Sequence, residues 1–475
     1  MLKYSPYLFL ILVYSLMTLT RVIADGFHPD SLVYMSMARN LAEGHTSFWS
    51  LHFTDNLFNE FYEHPPLGIY LMSLCFSLFG DTILIDKFYG PFLGLLMMFE
   101  MMAIYRLVSP GNYKNGMLLG AFYFVMFPIV SNTLENNLLE VPAALFALGS
   151  VYIFLKGVLQ KRNSLLYALL FSLALLAAFL SKGPVALFPF ALPFFYFILF
   201  SKEYKFTKML LAYGYIVLFL LLFSLVLYTY APSNHYFTMY IDKQILASIS
   251  GARGEGEHFK LLSQLLIDFS SIFLVSLIAL FAGKVKPMDI GFSKIVFLFV
   301  LIGLSASLPL EISPKQHDYY IFPSLPYFAL ALGLVFSSAL TTLLKKAGGY
   351  KLFLVLNTVA MVALIFIFVQ SVGSYKRHAS FYHDFVEAKV DLVKHSSVNV
   401  CTDNSKDYQE FFNNTEITGN LERFYQVRLY DHNNSSAEYF LTTLSSLNSC
   451  KVDDKKYKYI GVKEPKEYLL YRAIF

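Results

Sequence analysis

Long apolar runs separated by short polar connections dominate the chain as far as residue 372, and then the pattern changes. A helix needs roughly 17–25 mainly apolar residues to cross a bilayer. Eleven runs of about this kind are read at 4–20, 88–107, 116–130, 141–155, 165–180, 185–200, 209–230, 265–282, 295–310, 319–340 and 352–371. The run 67–79 is too short to cross and reads as a re-entrant or interface-lying helix. Beyond residue 373 the chain turns polar, with short β-like runs at 397–401, 438–444, 457–462 and 468–475 set off by Asn- and Ser-rich turns. The expected fold class is an all-α polytopic membrane domain over 1–372, about 11 transmembrane helices plus juxtamembrane helices, followed by a small C-terminal soluble α/β domain over 373–475. No tandem repeat is visible.

Composition agrees with this class: 56% of the 475 residues are hydrophobic and only 15% charged, far from a soluble protein. Basic residues gather in every second connection, at 156–162, 201–208, 283–287 and 345–351, together with Arg106 and Lys114. The positive-inside rule places these in the cytoplasm, with Lys3 and the N-terminus beside them. The remaining connections and the C-terminal domain then face outward, including a long first loop over 24–66. The N-terminal apolar run lacks a small-residue cleavage site and reads as a retained span. The net charge of +4 is spread over connections, so nucleic acid is not an expected partner. Of three cysteines, Cys401 and Cys450 both fall in the external tail, where pairing is allowed.

The outward connections hold the candidate chemistry. The first begins "ADGFHPDSLVYMSMARNLAEGH", where Asp30 stands at the start of an amphipathic run carrying Leu32, Met35, Ala38 and Arg39, read as lying at the membrane surface. An N-cap is the bland reading of Asp30, a general base the sharp one. Asp25, His28 and Asp30 form only a weak metal-ligand pattern. In "YEHPPLG" two prolines fix successive φ angles and set the direction of the following helix, holding His64 and Glu63 at a corner. "NTLENNLLEVPAALFAL" puts Glu135 and Glu140 before a span, where an acid complements the helix dipole. Lys182 in "LSKGP" is either a snorkelling loop tip or the partner of an anion. "PLEISPKQHDYYIFPSLP" collects Glu311, Lys315, His317, Asp318 and Tyr319, a phosphate or sugar site or an aromatic belt with a charged loop.

In their order these segments resemble the GT-C glycosyltransferases that use polyprenyl-phosphate sugars, namely the bacterial aminoarabinose (lipid A) transferase and the protein O-mannosyltransferases. The resemblance covers roughly the first 340 residues. Asp30 with "LVYMSMARNL" is similar to the family's acidic pair and Tyr-containing juxtamembrane helix, with Tyr34 as the tyrosine. "FYEHPPLGIYLMSLCFSLFGD" resembles the Glu-(Lys/His)-Pro-Pro-Leu segment, "LLEVPAALFAL" the later acidic turn, "FLSKGPVALFP" the Ser-Lys-Gly-Pro hairpin, and "KQHDYYIFPSLP" the late Lys-Tyr-Pro segment. Two departures stand out. Ser31 follows Asp30 where the family often has a second acid, leaving that role to Asp25, Glu63 or Glu140; and His64 stands where the aminoarabinose transferases usually carry Lys.

The resemblance implies an inverting transfer of a sugar from a polyprenyl-phosphate donor to an envelope acceptor, whether lipid A, another glycan or a protein, on the external face of a bacterial inner membrane. Asp30, with Glu140 as alternative or orienting group, is the implied base. His64, Lys182, Arg253 and Lys315 are the cations available to the donor phosphate, and Tyr34, Glu63, His317, Asp318 and Tyr319 the implied substrate contacts. No cofactor is required, although a divalent metal is compatible with the reading. The alternatives are a transporter or flippase of lipid-linked sugars, which calls for polar residues near the mid-membrane, and a non-catalytic envelope scaffold.

Overall fold

The computed structural model describes residues 4–54, 59–110, 113–247, 259–283, 293–313, 316–346, 350–387, 389–390, 392–401, 415–431, 437–450 and 452–474. These fall into two compact units. One comprises Met1–Ile23, Tyr62–Gly68 and Lys87–Ser371, the other Ala24–Phe61, Ile69–Asp86 and Val372–Phe475. The C-terminal boundary lies next to the one expected at residue 373. The segments Ala24–Phe61 and Ile69–Asp86, the latter holding the short apolar helix, belong with the C-terminal sheet rather than with the spans.

In the first unit each of the eleven apolar runs becomes helix. Among the described residues eight helices are long and apolar enough to cross a membrane, or nine if a bent pair counts as one span. That pair is Gly116–Met126 and Pro128–Glu135, bent by 71°. Pro128 brings no N–H to the ladder and opens the second half as its first residue, and the next donor, Ile129 N–H, is met by Asp268 Oδ1 at 3.3 Å. The run near 185–200 is likewise divided, into a 3₁₀ segment Pro184–Ala191 with Pro189 inside it and a short helix Leu192–Leu199. The expected count of about eleven therefore exceeds the uninterrupted spans, because prolines split runs that hydropathy reads as continuous. Lys260–Gly283 is a further apolar helix of 24 residues. Buried polar pairs tie the helices together: Asn357 Nδ2 donates to Ser5 Oγ at 3.0 Å, and Tyr123 and Ser276 hydroxyls lie 2.9 Å apart. The molecule is a multi-pass membrane protein.

The second unit is built on a five-stranded mixed sheet in the order β2-β1-β3-β5-β4, with β1 Ser397–Cys401, β2 Arg428–Asp431, β3 Tyr439–Thr443, β4 Tyr457–Tyr459 and β5 Tyr468–Ala473. β1 runs parallel to β2 and β3, while β5 is antiparallel to β3 and β4. Four strands match the β-like runs of the sequence; β2, the four residues "RLYD", is too short and too polar to stand out. A parallel neighbour requires a crossover, and the helix Thr415–Tyr425 lies in that connection between β1 and β2. A disulfide joins Cys401 to Cys450 and closes a separation of 49 residues.

The segment Ala24–Phe61 joins this unit through buried charge. The helix Pro29–Ala42 is buried at every position from Ser31 to Asn40, so it is not the amphipathic surface helix that its spacing predicts. Arg39, only 2% exposed, pairs with Glu422 at 2.6 Å and donates to the Glu422 and Arg423 carbonyls at 2.9 and 3.2 Å. Arg423 in turn forks onto Asp86, with Nη2 to Oδ2 at 2.7 Å, and reaches Asp81 at 2.8 Å while stacking on Phe76. Backbone pairing of Asp25 with Ser374 and Lys376 completes the junction.

Candidate active site

Within the first unit three of the sequence motifs meet. The His64-Pro65-Pro66 elbow leads into Gly68, where an added Cβ would come within 2.8 Å of Leu139 and 3.4 Å of both Pro142 and the Ser181 carbonyl. Gly68 thus lets the elbow, the acidic turn and the Ser-Lys-Gly-Pro hairpin approach closely; a side chain there would displace Leu139. Helix Ser164–Lys182, capped at its start by Asn163 accepting from Leu165 and Leu166 N–H, ends on Lys182. The chain then turns at Gly183 with φ +85°, and a Cβ there would collide with the Tyr240 hydroxyl. Glycine is thus demanded by both backbone and space, and the turn fixes where Lys182 points.

Lys182 points at Glu140. Its Nζ lies 2.9 Å from Glu140 Oε1, with the two side chains 9% and 3% exposed. The same Nζ is 3.4 Å from His64 Nε2 and 5.9 Å from the centre of the Tyr320 ring. An ammonium has donors only, so in this contact His64 Nε2 is placed as the acceptor. The sequence reading treats His64 and Lys182 as two separate cations. In the structure the Lys182 ammonium lies between a carboxylate and an imidazole, as removing Lys182 from water requires an anionic partner.

The elbow is braced from the helix Ala231–Tyr240. The buried Tyr236 hydroxyl donates to the His64 carbonyl. Burial first, and then the neighbours Tyr240, Tyr62 and Glu63, push its pKa well above the ordinary phenol value, so it stays a protonated donor. Tyr62 contacts His235 Nε2 at 3.2 Å, and Lys243 lies 5.0 Å above the Tyr62 ring. Sequence reasoning missed Tyr236, His235 and Lys243, and of the two tyrosines of the late segment it named Tyr319 rather than Tyr320 as the substrate contact. The available signal was "APSNHYFTMYIDK", a Pro-led, aromatic and polar helix directly after an apolar span.

In the late segment, His317 stacks face to face on Tyr319 at 5.2 Å, and Asp318 pairs with Lys260 at 3.4 Å. Gln316 orders the same loop, accepting from Lys260 and Leu261 N–H and donating to the Glu311 and Ser313 carbonyls. Tyr320 reaches Lys182. Glu135 is paired with Arg21 at 4.0 Å. Arg253 and Lys315 lie outside the described residues, and Glu63 is half-buried beside the elbow.

Asp30 and Tyr34 belong to the second unit. Asp30 is not the N-cap: His28 is, its Nδ1 accepting from Asp30 N–H at 3.2 Å. The reason is Pro29, which as first helical residue has no N–H, so the first donor to satisfy is that of Asp30. The Asp30 carboxylate is 44% exposed, with Oδ2 3.9 Å from His28 Nδ1. Tyr34 is buried, edge-on to Phe61 at 6.3 Å. Among the described residues no three His, Cys, Asp or Glu side chains come together as a metal-ligand set.

Residues 63–228, which contain His64, Glu140 and Lys182, match the sequence model for dolichyl-phosphate-mannose-protein mannosyltransferase. No curated protein matches the chain by sequence. Among solved structures, ArnT from Cupriavidus metallidurans bound to undecaprenyl phosphate is similar with a TM-score of 0.65 at 13% identity, covering 98% of both chains. The Archaeoglobus fulgidus oligosaccharyltransferase in complex with Zn and sulfate is similar with a TM-score of 0.52 at 12% identity, over 99% of this chain and 73% of that one. AglB of the same organism, in complex with an inhibitory peptide and a dolichol-phosphate, gives 0.50 at 13% identity, over 95% and 70%. Over 98% of its length, then, the chain has an ArnT-like fold, a multi-pass helical membrane unit with a small C-terminal sheet.

Proposed function

We propose that the protein is an inverting glycosyltransferase that moves a sugar from a polyprenyl-phosphate donor to a hydroxyl of an envelope acceptor, a lipid, glycan or protein. The observation that carries this reading is the buried Lys182–Glu140 pair set against His64 Nε2, within the segment that matches a mannosyltransferase family and inside an ArnT-like fold. A buried ammonium held by a carboxylate and braced through Tyr236 is a preorganised cation, the kind of group that stabilises charge developing on a leaving phosphate. In the reaction the acceptor oxygen bonds to the anomeric carbon as the bond from that carbon to the phosphate oxygen breaks. The electron pair leaves with the polyprenyl phosphate, and the acceptor proton passes to a carboxylate, for which Asp30 is the first choice and Glu140 the second. His64 takes a share of the donor phosphate once Lys182 turns to it; Glu63, Tyr34, His317, Asp318 and Tyr319 are the proposed substrate contacts, with Arg253 and Lys315 as further cations.

The site is proposed to face outward from a bacterial inner membrane, with the N-terminus cytoplasmic; the Cys401–Cys450 disulfide supports an oxidising side for the second unit. A cysteine placed at Gln160 should react with an impermeant thiol reagent only after permeabilisation, and one at Lys458 in intact spheroplasts; the reverse pattern would invert the orientation.

The test of function is transfer by purified protein from undecaprenyl-phosphate-linked sugars, with mass spectrometry of envelope lipids and glycoproteins from cells with and without the gene to name sugar and acceptor. Loss of a specific sugar from one acceptor, restored by the wild-type gene and not by Lys182→Met, is the expected outcome. Protein that never transfers sugar yet moves lipid-linked sugar across vesicle membranes would replace this reading with the flippase.

A further inference from the structure

The second unit holds a cavity of about 420 Å³ that plays no part in the reading above, within the about 300–1,000 Å³ typical of small-molecule sites. Its buried lining includes Arg39, Asn40 and Phe53, and its exposed lining His45, His395 and Arg428, with His52 between. Glu43 and Glu422 share the lining with the two arginines, but the charges are not evenly paired. Arg39 is answered by Glu422 at 2.6 Å, and His45 faces Glu43 at 3.6 Å. Arg428, at the first position of β2, has no carboxylate partner among the described residues, and no acid is paired with His395, whose ring lies edge-on to that of His45 at 6.2 Å. The lining is fixed from behind: Arg39 is locked by four hydrogen bonds, and Asn40 Nδ2 donates to the Phe53 carbonyl at 2.9 Å.

A guanidinium fork that pairs with neither carboxylate of the lining, beside imidazoles in a polar cavity too large for a bare ion, calls for an oxyanion attached to a larger polar body. We propose that this cavity binds a phosphate- or carboxylate-bearing sugar, Arg428 holding the anionic group and His45, His52 and His395 hydrogen-bonding the rest. Naming the ligand a sugar rests on the glycan-transfer reading; the anion site rests on the cavity alone.

The test uses full-length protein in phosphatidylcholine nanodiscs, titrated calorimetrically with glucose 6-phosphate, glucuronate and glucose. The two anionic sugars should bind saturably and glucose should not. Arg428→Gln should weaken binding by about tenfold or more, as expected for one charge-assisted contact, whereas Lys458→Gln on β4 should leave it unchanged. His395→Asn should weaken it by a smaller factor, and serves if Arg428→Gln fails to fold. Glucose binding as well as its phosphate, no saturable binding, or unchanged affinity in a folded Arg428→Gln protein would each overturn the proposal. Displacement of the sugar phosphate by phosphatidylglycerol in the nanodisc would identify a lipid headgroup instead and overturn the sugar assignment. Binding measured in the Asp30→Asn protein keeps the two readings apart: retained binding without transfer supports the cavity whatever becomes of the catalytic assignment.

Discussion

Lys182 Nζ sits 2.9 Å from Glu140 Oε1, joining the last residue of one helix to the first of another, with both groups almost out of water. Such a pair is costly to break and cheap to replace. Lys182→Ala leaves a buried carboxylate alone and should cost about 3–5 kcal/mol, whereas the double variant Lys182→Met/Glu140→Leu should recover most of that stability. Neither should transfer sugar. Thermal unfolding in detergent and transfer assays on the same preparations check this, and a double variant that is both stable and active would make the pair purely structural.

Asp30 should separate from its cap. Since His28 accepts the first helical N–H, Asp30→Asn should leave stability within about 0.5 kcal/mol of wild type, as for ordinary exposed positions, and abolish transfer. His28→Ala should lower stability by about 1 kcal/mol while transfer persists. Near-normal turnover in Asp30→Asn would move the base to Glu140.

Tyr236→Phe removes the donor to the His64 carbonyl without changing shape. Leaving that part-buried carbonyl unmet should cost about 1 kcal/mol and raise the KM for the donor more than it lowers kcat, because Tyr236 acts by positioning the elbow. A fall confined to kcat would place the hydroxyl in the chemistry instead.

Acid should loosen the second unit through Asp384. Burial opposes ionisation of this carboxyl, but the backbone N–H of Tyr468, the His383 ring and the N–H groups of Lys466 and Glu467 outweigh it and hold it below the usual carboxylate range. A lowered folded value means that the stabilisation is complete above the unfolded value of about 3.9 and is lost as pH falls through the folded one. Proteolytic protection of the sheet should therefore decline below about pH 4. Asp384→Asn should be less protected at neutral pH and lose that decline; an unchanged acid profile would exclude this carboxylate as its cause.

The pattern of apolar runs determined by itself that helices cross a membrane, since a span is specified locally by its length and by the absence of charge. It also showed the change of material near residue 373 and four of the five strands, whose runs are long enough to show a period. The motifs with His64, Glu140 and Lys182 were legible because prolines and glycines mark fixed corners in any context. Which groups those corners join was not legible. That Lys182 answers Glu140 and shares its proton side with His64, that Tyr320 and Tyr236 attend them, and that His28 rather than Asp30 caps its helix depend on residues far apart in the chain or on which backbone donor Pro29 leaves open. The same holds for the helix Pro29–Ala42. Its spacing reads as a surface helix, yet Arg39 finds Glu422 across 383 positions and goes into the core. A charge is buried only where the fold supplies its partner, and the partner is chosen by tertiary packing.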